Sequence, residues 1–327
     1  MKKANIIIGV LSCFMISAMP QEKFPEAEIT NGIIRVHFYL PDANKGYYQA
    51  TRFDWSGIIT NLEFKGHNYY GQWFENYSPT THDAVMGPVE EFGPVGYADV
   101  KSGGNFIKIG VGGLLKPDES AYGQFKLYKI ANPGEWKINK KSDQIQFVHV
   151  LKDAEYSYEY KKTIQLVKGK PELVISHSLK NKGKRTIETT AYDHNFVMID
   201  KEPTGPDYVI YFPADMTGKG QGIGNIAQLQ GKQMTFLREL SRSERIFCNP
   251  LLGLSNDKKD YNFRVENIKT GAGVRITGDQ PIVKLVFWAS PTTVCPEPFI
   301  QIKVEPGKEF GWQIFYEYYT FDDSNLD

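Results

Sequence analysis

The chain has 327 residues, of which 41% are hydrophobic and 23% are charged, so it can form a large hydrophobic core and lacks the composition of a disordered protein. Lys plus Arg and Asp plus Glu both total 38, which gives no net charge and excludes the basic surplus of a dedicated nucleic-acid binder. Aromatic residues reach 13%, beside 30 Gly and 18 Pro, and this mixture favours strands joined by tight turns.

The N-terminal residues have the pattern of a secretory signal. Two lysines precede an apolar stretch over residues 4–18, and polar residues return at Gln21. The stretch is too short for a membrane span, and no later segment offers a long uninterrupted apolar run. We predict a signal peptide over residues 1–18, a periplasmic or secreted mature protein and no stable membrane span.

The three cysteines raise two further questions. Cys13 follows residues 10–12 (Val-Leu-Ser) in the manner of a bacterial lipidation site, but the apolar residues 14–16 after it favour ordinary signal cleavage. Removal of the signal leaves Cys248 and Cys295. An oxidising compartment permits a disulfide between them, and the sequence does not establish one.

Strand patterns follow one another after the leader. Residues 173–179 alternate, with Leu173, Ile175 and Leu179 predicted on one face and Ser176 on the other. Only residues 226–245 have any helical character. Runs rich in β-branched and aromatic residues predict strands over residues 33–40, 146–151, 156–167, 173–179, 186–192, 274–276, 282–289, 299–304 and 312–320.

The organisation of the chain indicates a single domain. No linker rich in Pro, Gly or Ser divides it, and no internal repeat is visible. Many short strands without a boundary predict an all-β protein, a large antiparallel β-sandwich domain over residues 22–327.

Signatures of metal and nucleotide sites are absent from the sequence. There is no Cys-x-x-Cys motif, no His/Cys cluster with zinc spacing and no P-loop. The glycine-rich run over residues 218–224 lacks a strand-then-helix context and predicts a loop. We therefore predict neither a metal site nor a cofactor.

Two short polar clusters are candidates for catalysis. His194 differs from His37, His149 and His177, which are expected to be structural, because it lies in a polar cluster flanked by aromatic residues where a strand ends. An imidazole titrates near neutrality and can transfer a proton to a weakly basic oxygen. Glu297 lies between two prolines, which fix the backbone and remove two amide donors.

These clusters resemble motifs of the aldose 1-epimerase (galactose mutarotase-like) superfamily, which includes glucose-6-phosphate 1-epimerase relatives. Residues 172–183 look like the family's strand ending in N-x-G, and residues 192–196 (Tyr-Asp-His-Asn-Phe) stand in place of its N-H-x-Y-F general-acid motif. Residues 295–298 (Cys-Pro-Glu-Pro) are similar to its C-x-E-P segment, which carries the catalytic base. Residues 306–307 match a P-G turn before the last strand.

The N-terminal half resembles the family less closely. Residues 86–94 are similar to the G-G-x-P-x-x-F-G segment of the hexose-phosphate relatives, with Met-Gly in place of its two glycines. Residues 52–59 stand in place of an early strand. The family's second histidine, in an H-G-G context, is not found, and His82 is nearer to its place than His67. The family's sugar-binding aspartate has no evident counterpart.

The resemblance implies a galactose mutarotase-like sandwich that interconverts sugar anomers through the open-chain aldehyde. Glu297 would take the proton of the anomeric hydroxyl while His194 protonates the ring oxygen, without a metal or cofactor. We expect a monomer whose partner is an aldose or the end of an oligosaccharide. Candidate substrate-binding residues are Arg52, His82, Glu90, Asn195 and Trp288, although Trp288 is equally suited to the core.

Two other hypotheses stay open at this level. A glycosidase or lyase relative would pair Glu297 with a second carboxylate, namely Asp193, Glu90 or Glu91. A sugar-binding protein without turnover is the other, and the missing second histidine favours it. A phosphorylated sugar is disfavoured by the leader and by the lack of a clear arginine cluster, although three arginines (238, 242 and 245) would share a face if residues 235–247 were helical.

Overall fold

The structure is a computed structural model that describes residues 24–323. The predicted signal peptide over residues 1–18, together with the lipidation alternative at Cys13, lies outside the described residues. Within residues 24–323, none of the helices has both the length and the apolar character needed to cross a membrane.

Strands account for the regular structure of this part of the chain. The first half contains β1 (Glu26–Thr30), β2 (Ile34–Tyr39), β3 (Ile58–Phe64), β4 (His67–Asn68), β5 (Gly87–Phe92), β6 (Asn105–Lys108), β7 (Gly112–Leu115), β8 (Ile130–Asn132), β9 (Glu135–Lys140), β10 (Gln144–Leu151) and β11 (Tyr158–Leu166). The second half contains β12 (Glu172–Asn181), β13 (Ile187–Phe196), β14 (Tyr208–Tyr211), β15 (Gly220–Gln221), β16 (Ala227–Gln230), β17 (Gln233–Phe236), β18 (Ile246–Leu251), β19 (Asn262–Asn267), β20 (Ala272–Gly278), β21 (Lys284–Ser290), β22 (Thr293–Val304) and β23 (Glu309–Thr320). The helices of this region are single 3₁₀ turns at Tyr97–Asp99, Ile199–Lys201, Lys258–Asp260 and Phe321–Asp323.

Two large sheets dominate the architecture. The ten-stranded sheet has the order β16-β17-β14-β19-β20-β23-β12-β11-β10-β9, and the six-stranded sheet has the order β15-β18-β21-β22-β13-β5. Smaller sheets join β1 to β4 and β6 to β8. Paired strands of the described residues run antiparallel throughout these sheets, so the prediction of an all-β antiparallel sandwich is confirmed.

The main hydrophobic core lies between the two large sheets. In β12, Leu173, Ile175 and Leu179 are buried while Ser176 is partly exposed, as the alternating pattern predicts. Ile302 of β22 belongs to the same core from the facing sheet. A second core lies on the other face of the six-stranded sheet, where loops cover it.

The helical prediction for residues 226–245 is wrong. This segment begins with the hairpin of β16 and β17, in which Gln230 pairs with Gln233. Gly231 takes a φ of +58° in the turn, a backbone angle that glycine adopts without steric cost. The chain therefore turns back after β16 instead of continuing as a helix, and the three arginines do not share a helical face.

The six-stranded sheet determines where the candidate residues point. Because side chains alternate along a strand, neighbouring residues on β13 face opposite sides. The same alternation separates Cys248 and Cys295. They pair with the neighbouring residues Phe287 and Trp288 of β21, so they face opposite sides of the sheet and belong to different cores. Both are buried free thiols, so the structure contains no disulfide between them.

Candidate active site

The two central strands of the six-stranded sheet bring His194 and Glu297 together. Tyr192 of β13 pairs with Phe299 of β22, and an isolated bridge joins Val197 to Val294 in the same register. His194 and Glu297 therefore occupy opposed positions on one face of the sheet. Their side chains meet, with His194 Nε2 3.2 Å from Glu297 Oε1, and both are almost fully buried, at 5% and 7% exposure.

The backbone beside Glu297 lacks part of the usual strand ladder. Pro296 and Pro298 have no N–H group, so β22 cannot donate to β13 at these positions. The Asn195 side-chain amide donates to the Pro296 carbonyl at 2.9 Å. A side chain of β13 thus adds a hydrogen bond to β22 at the residue that precedes Glu297.

A tyrosine from the facing sheet holds Asn195 in turn. Tyr316 donates its hydroxyl to Asn195 Oδ1 at 2.8 Å and also contacts the Asp193 carboxyl. Burial raises the pKa of Asp193 to about 7, and the nearby Glu90 carboxylate adds to this. A neutral Asp193 can donate its proton to the Tyr316 oxygen, which leaves the tyrosine proton for Asn195. Asp193 and Asn195, the two neighbours of His194 along β13, are therefore both held by a residue of the ten-stranded sheet.

An aromatic wall fixes the imidazole ring of His194. Phe196 stacks on His194 with ring centroids 3.9 Å apart, and Trp73 stacks on Phe196 at 5.0 Å. Trp288 stands edge-on to His194 at 5.7 Å and to Trp73 at 5.2 Å. These contacts fix the plane of the His194 ring, and its Nε2 lies toward Glu297.

Arg52 forms the centre of a polar cluster beside the pair. It lies in the loop between β2 and β3 and donates from Nε to Glu91 at 2.7 Å and from Nη2 to the Tyr192 hydroxyl at 3.0 Å. It also forms an ion pair with Asp83. Its guanidinium lies 4.9 Å from the ring centroid of Phe125, an exposed residue of a neighbouring loop.

The His194–Glu297 pair, the aromatic wall and Arg52 line one cavity of about 410 Å³, which is of the size that accepts a small ligand. His194, Glu297 and Trp288 belong to its sheet side, whereas Arg52 and Asp83 come from loops. We call this cavity the pocket. It combines aromatic faces with a few polar groups, which is the composition expected for binding a sugar ring.

Burial shifts the protonation of the His194–Glu297 pair. It raises the pKa of Glu297 to about 8, although the positive charge of Arg52 opposes the shift. Burial also lowers the pKa of His194 well below its usual value, and Arg52 adds to this. At neutral pH the pair therefore holds one proton, on Glu297, next to a neutral imidazole. Such a pair can take up one proton and release another without a net change in charge.

Comparison with known proteins identifies the fold. No protein-family model matches the chain, and neither does any curated protein. Among solved structures, a galactose mutarotase related enzyme from Lactobacillus acidophilus is 13% identical, with 91% of this chain and 98% of that one covered and a TM-score of 0.54. The GalM/aldose epimerase homologue from C. elegans is 12% identical, with 91% and 99% covered and a TM-score of 0.53. A galactose mutarotase-like protein from Clostridium acetobutylicum is 11% identical, with 92% and 100% covered and a TM-score of 0.53.

The chain has the galactose mutarotase-like fold. At identities this low, the similarity concerns the fold and leaves catalysis in this chain to be argued from its own residues. Within residues 24–323, no group of three or more His, Cys, Asp or Glu side chains is arranged to hold a metal ion.

The structure brings four of the predicted residues to the pocket, namely His194, Glu297, Arg52 and Trp288. His82 lies just outside it, with Nδ1 2.8 Å from Asp83 and its ring against Phe125.

The prediction that Glu90 and Asn195 bind substrate is wrong in geometry. Both side chains point to the face of the six-stranded sheet that packs against the ten-stranded sheet, which we call the core face. Glu90 accepts from Lys162 at 2.5 Å and contacts His177 Nε2 at 2.6 Å, both on the facing sheet. Asn195 bonds to Pro296. The cause is the two-residue period of a strand, which turns Asn195 away from its neighbour His194.

Sequence reasoning missed several residues of the pocket. Tyr192 has the same parity as His194 on β13, so the strand period was a signal that could have identified it. Glu91, which the sequence suggested only as a possible second carboxylate, lies beside the pocket. It accepts from the Tyr192 hydroxyl at 2.5 Å, and its position depends on the register between β5 and β13. Asp83 and Trp73 come from a long loop and left no periodic signal.

Proposed function

We propose that the protein is an aldose 1-epimerase, which interconverts the anomers of a sugar by general acid–base catalysis. The observation that carries the proposal is the contact between His194 and Glu297, a pair holding one proton in a pocket of suitable size. Mutarotation needs one group to accept the proton of the anomeric hydroxyl and another to protonate the ring oxygen. These two oxygens are bonded to the same carbon, so the two groups must lie close together, as they do here.

The proton held by the His194–Glu297 pair makes one member an acid and leaves the other as a base. One member of the pair removes the proton from the anomeric hydroxyl while the other protonates the ring oxygen, the ring bond breaks and the aldehyde forms. Rotation about the bond to that carbon exposes its other face, and the reverse proton transfers close the ring. When this proton passes from Glu297 to His194, Glu297 acts as the base and His194 acts as the acid. Such assistance contributes about 10²–10⁴-fold per group.

The glycosidase alternative needs a second carboxylate beside Glu297. Of the three that the sequence offered, Asp193 and Glu90 point to the core face. Glu91 is on the pocket side, but it accepts hydrogen bonds from Arg52 and Tyr192 and is therefore held away from a substrate. The arrangement therefore favours acid–base catalysis by the His194–Glu297 pair over hydrolysis by two carboxylates.

The experiment follows anomer exchange by NMR in a panel of aldoses and of disaccharides with a free reducing end. Wild-type protein should accelerate exchange for at least one sugar, and Glu297→Gln should abolish this while the protein still folds and binds. Glu305→Gln, an exposed residue just after β22, is the matched control and should behave as wild type. Exchange by Glu297→Gln within a few-fold of wild type would remove Glu297 from its role.

Binding measured in parallel separates the two classes of function. A protein that binds a sugar of the panel without accelerating its exchange is a sugar-binding protein, and the epimerase proposal fails. The predicted export of the chain belongs to the proposal, so the sugar would be met outside the cytoplasm. Fusion of residues 1–21 to a reporter enzyme that is active only after export tests that part.

A further inference from the structure

A second cavity continues from the pocket. It has a volume of about 540 Å³ and lies beside the loop that follows β4. Trp73 and Arg245 line both cavities, so the two are contiguous. Asn76 and Thr292 add polar side chains to the second cavity. A ligand that fills the pocket can therefore extend past Trp73 without leaving the protein surface.

Arg245 stands at the junction with an uncompensated charge. Its Nη1 donates to the carbonyls of Arg242 at 3.1 Å and Glu244 at 2.6 Å, which fixes the guanidinium in place. Among the described residues, no carboxylate forms an ion pair with it. By contrast, Arg242 is paired with Glu75 across the same cavity, so these two charges cancel.

Trp73 provides a fixed aromatic surface between the cavities. Its ring stacks on Phe196, its Nε1 donates to the Val85 carbonyl at 2.9 Å, and its own carbonyl accepts from Thr292 Oγ1 at 2.9 Å. Because two contacts hold the ring and a third holds its backbone, little ordering of Trp73 is needed when a ligand binds. Aromatic surface beside amide and hydroxyl groups suits a sugar ring, and the free guanidinium adds a preference for an anion.

We propose that the second cavity is a subsite for the saccharide unit next to the reducing end, and that its preferred occupant carries a carboxylate or sulfate group bound by Arg245. The inference rests on the proposed function, because the His194–Glu297 pair must hold the reducing-end unit for the chain to extend toward Trp73. The ligand class is therefore an acidic oligosaccharide and not a free monosaccharide.

The test compares matched ligands by titration calorimetry and tryptophan fluorescence, in both the galacto and the gluco series. Each series includes the uronic acid, the neutral disaccharide, the disaccharide with a uronic acid next to the reducing end, and its sulfated counterpart. In at least one series, an acidic disaccharide should bind about ten- to one-hundredfold more tightly than the neutral one, because a charge-assisted contact is added. Added salt should reduce this preference. Whether the carboxylate or the sulfate binds more tightly identifies the substituent.

Arg245→Met assigns the preference to this residue. It should remove most of the acidic preference, whereas Arg238→Met, which loses an exposed arginine paired with Glu244 outside both cavities, should retain it. Equal binding of acidic and neutral disaccharides in both series, or equal effects of the two variants, would overturn the subsite.

The same titrations with Glu297→Gln keep this test separate from the proposed function. Acidic preference in that variant supports the subsite without turnover. Absence of anomer exchange in wild type would reject the epimerase activity and leave the binding result standing.

Discussion

Glu90 and Glu297 are buried carboxyl groups on opposite faces of the six-stranded sheet, and their surroundings differ. On the core face, Glu90 is held by Lys162 at 2.5 Å and by His177 at 2.6 Å, so its charge is compensated within the protein. On the pocket face, His194 has Glu297 near Nε2 and, among the described residues, no partner for Nδ1. The same strands thus hold a closed ionic cluster and an open acid–base pair.

The difference between the faces shows how burial acts with and without partners. With Lys162 and His177 beside it, the pKa of Glu90 falls to about 2. With a neutral imidazole in contact and the positive charges of Arg52 and Lys284 farther away, the pKa of Glu297 rises to about 8. Desolvation disfavours the charged form in both cases, and only Glu90 has a cationic partner in contact that compensates it. A buried carboxyl in a cavity whose pKa is raised toward neutrality is a candidate for chemistry, whereas Glu90, paired across the two sheets, helps to hold them together.

The largest effect is expected from breaking the pocket pair. His194→Asn should reduce anomer exchange by about 10²–10⁴-fold with little change in thermal stability, because the amide cannot take up the proton. Combined with Glu297→Gln, the loss should be much less than the product of the single losses, since both groups act on one event. NMR exchange rates of the four proteins check this. Losses that multiply would mean that the residues act in separate steps.

On the core face the expected effect is on stability. Glu90→Gln removes the nearer carboxylate of buried Lys162 and leaves it Asp54 at 3.9 Å. This weakening of a buried ionic cluster should cost about 3–5 kcal/mol in the free energy of unfolding. Glu188→Gln is the matched control on the same sheet, because Glu188 forms an exposed pair with Lys303 and should cost about 1 kcal/mol or less. Urea titrations measure both. Equal costs would mean that the core-face cluster does not stabilise the sandwich.

The pH dependence of the rate tests the one-proton state of the pocket pair. The pKa of Glu297 is raised to about 8, so above that pH the carboxyl ionises, the pair loses its proton, and the rate should fall by about tenfold per pH unit. The pKa of His194 is lowered by burial, so the rate should fall on the acid side only well below pH 6.5, when the pair holds two protons and lacks a base. Polarimetry corrected for buffer catalysis gives the profile. A rate that rises through pH 8 would contradict the assignment.

The sequence predicted several strands correctly because strand patterns are local, although it failed for the hairpin of β16 and β17. The alternation of Leu173, Ile175 and Leu179 predicted their common face, and the structure confirms it. The contact between His194 and Glu297 depends on the pairing of β13 with β22, which residue patterns near either side chain do not encode. The family resemblance pointed to both residues without giving their distance or protonation.

For the rest of the site, the predictions failed where they did not consider which face of its strand a side chain takes. The motif that contains Asn195 predicts a ligand contact, but the strand period places its side chain on the face opposite to that of His194. For Glu90 and Glu91, the sequence does not say which of the two faces the pocket until β5 is placed against β13. Trp73 comes from a loop, where no period applies.

An intermediate effect is expected from Asn195 and Tyr316, which act on the pocket pair from the core face. Asn195→Ala removes the bond to the Pro296 carbonyl, and Tyr316→Phe removes the hydroxyl that holds Asn195. Each should lower kcat by about tenfold with little change in KM, because a small displacement of the acid or base slows proton transfer. Lower stability with unchanged kcat in the folded protein would show that these residues are structural only.

The smallest effect is expected for Trp288, which lies between the pocket and the aromatic wall beside His194. Its indole lines the pocket and stands edge-on to His194, and it is only partly buried. Trp288→Phe keeps an aromatic ring but loses contact area, so affinity for the sugar should fall a few-fold and the melting temperature should change little. The matched control is Trp312→Phe, a buried residue stacked on His177 at 4.4 Å on the core face, which should lower the melting temperature and leave affinity unchanged. Calorimetric titration with the preferred sugar and thermal unfolding of both variants give the two comparisons. If Trp288→Phe unfolds earlier and the remaining folded protein binds normally, Trp288 belongs to the core and the aromatic wall supports His194 without touching the ligand.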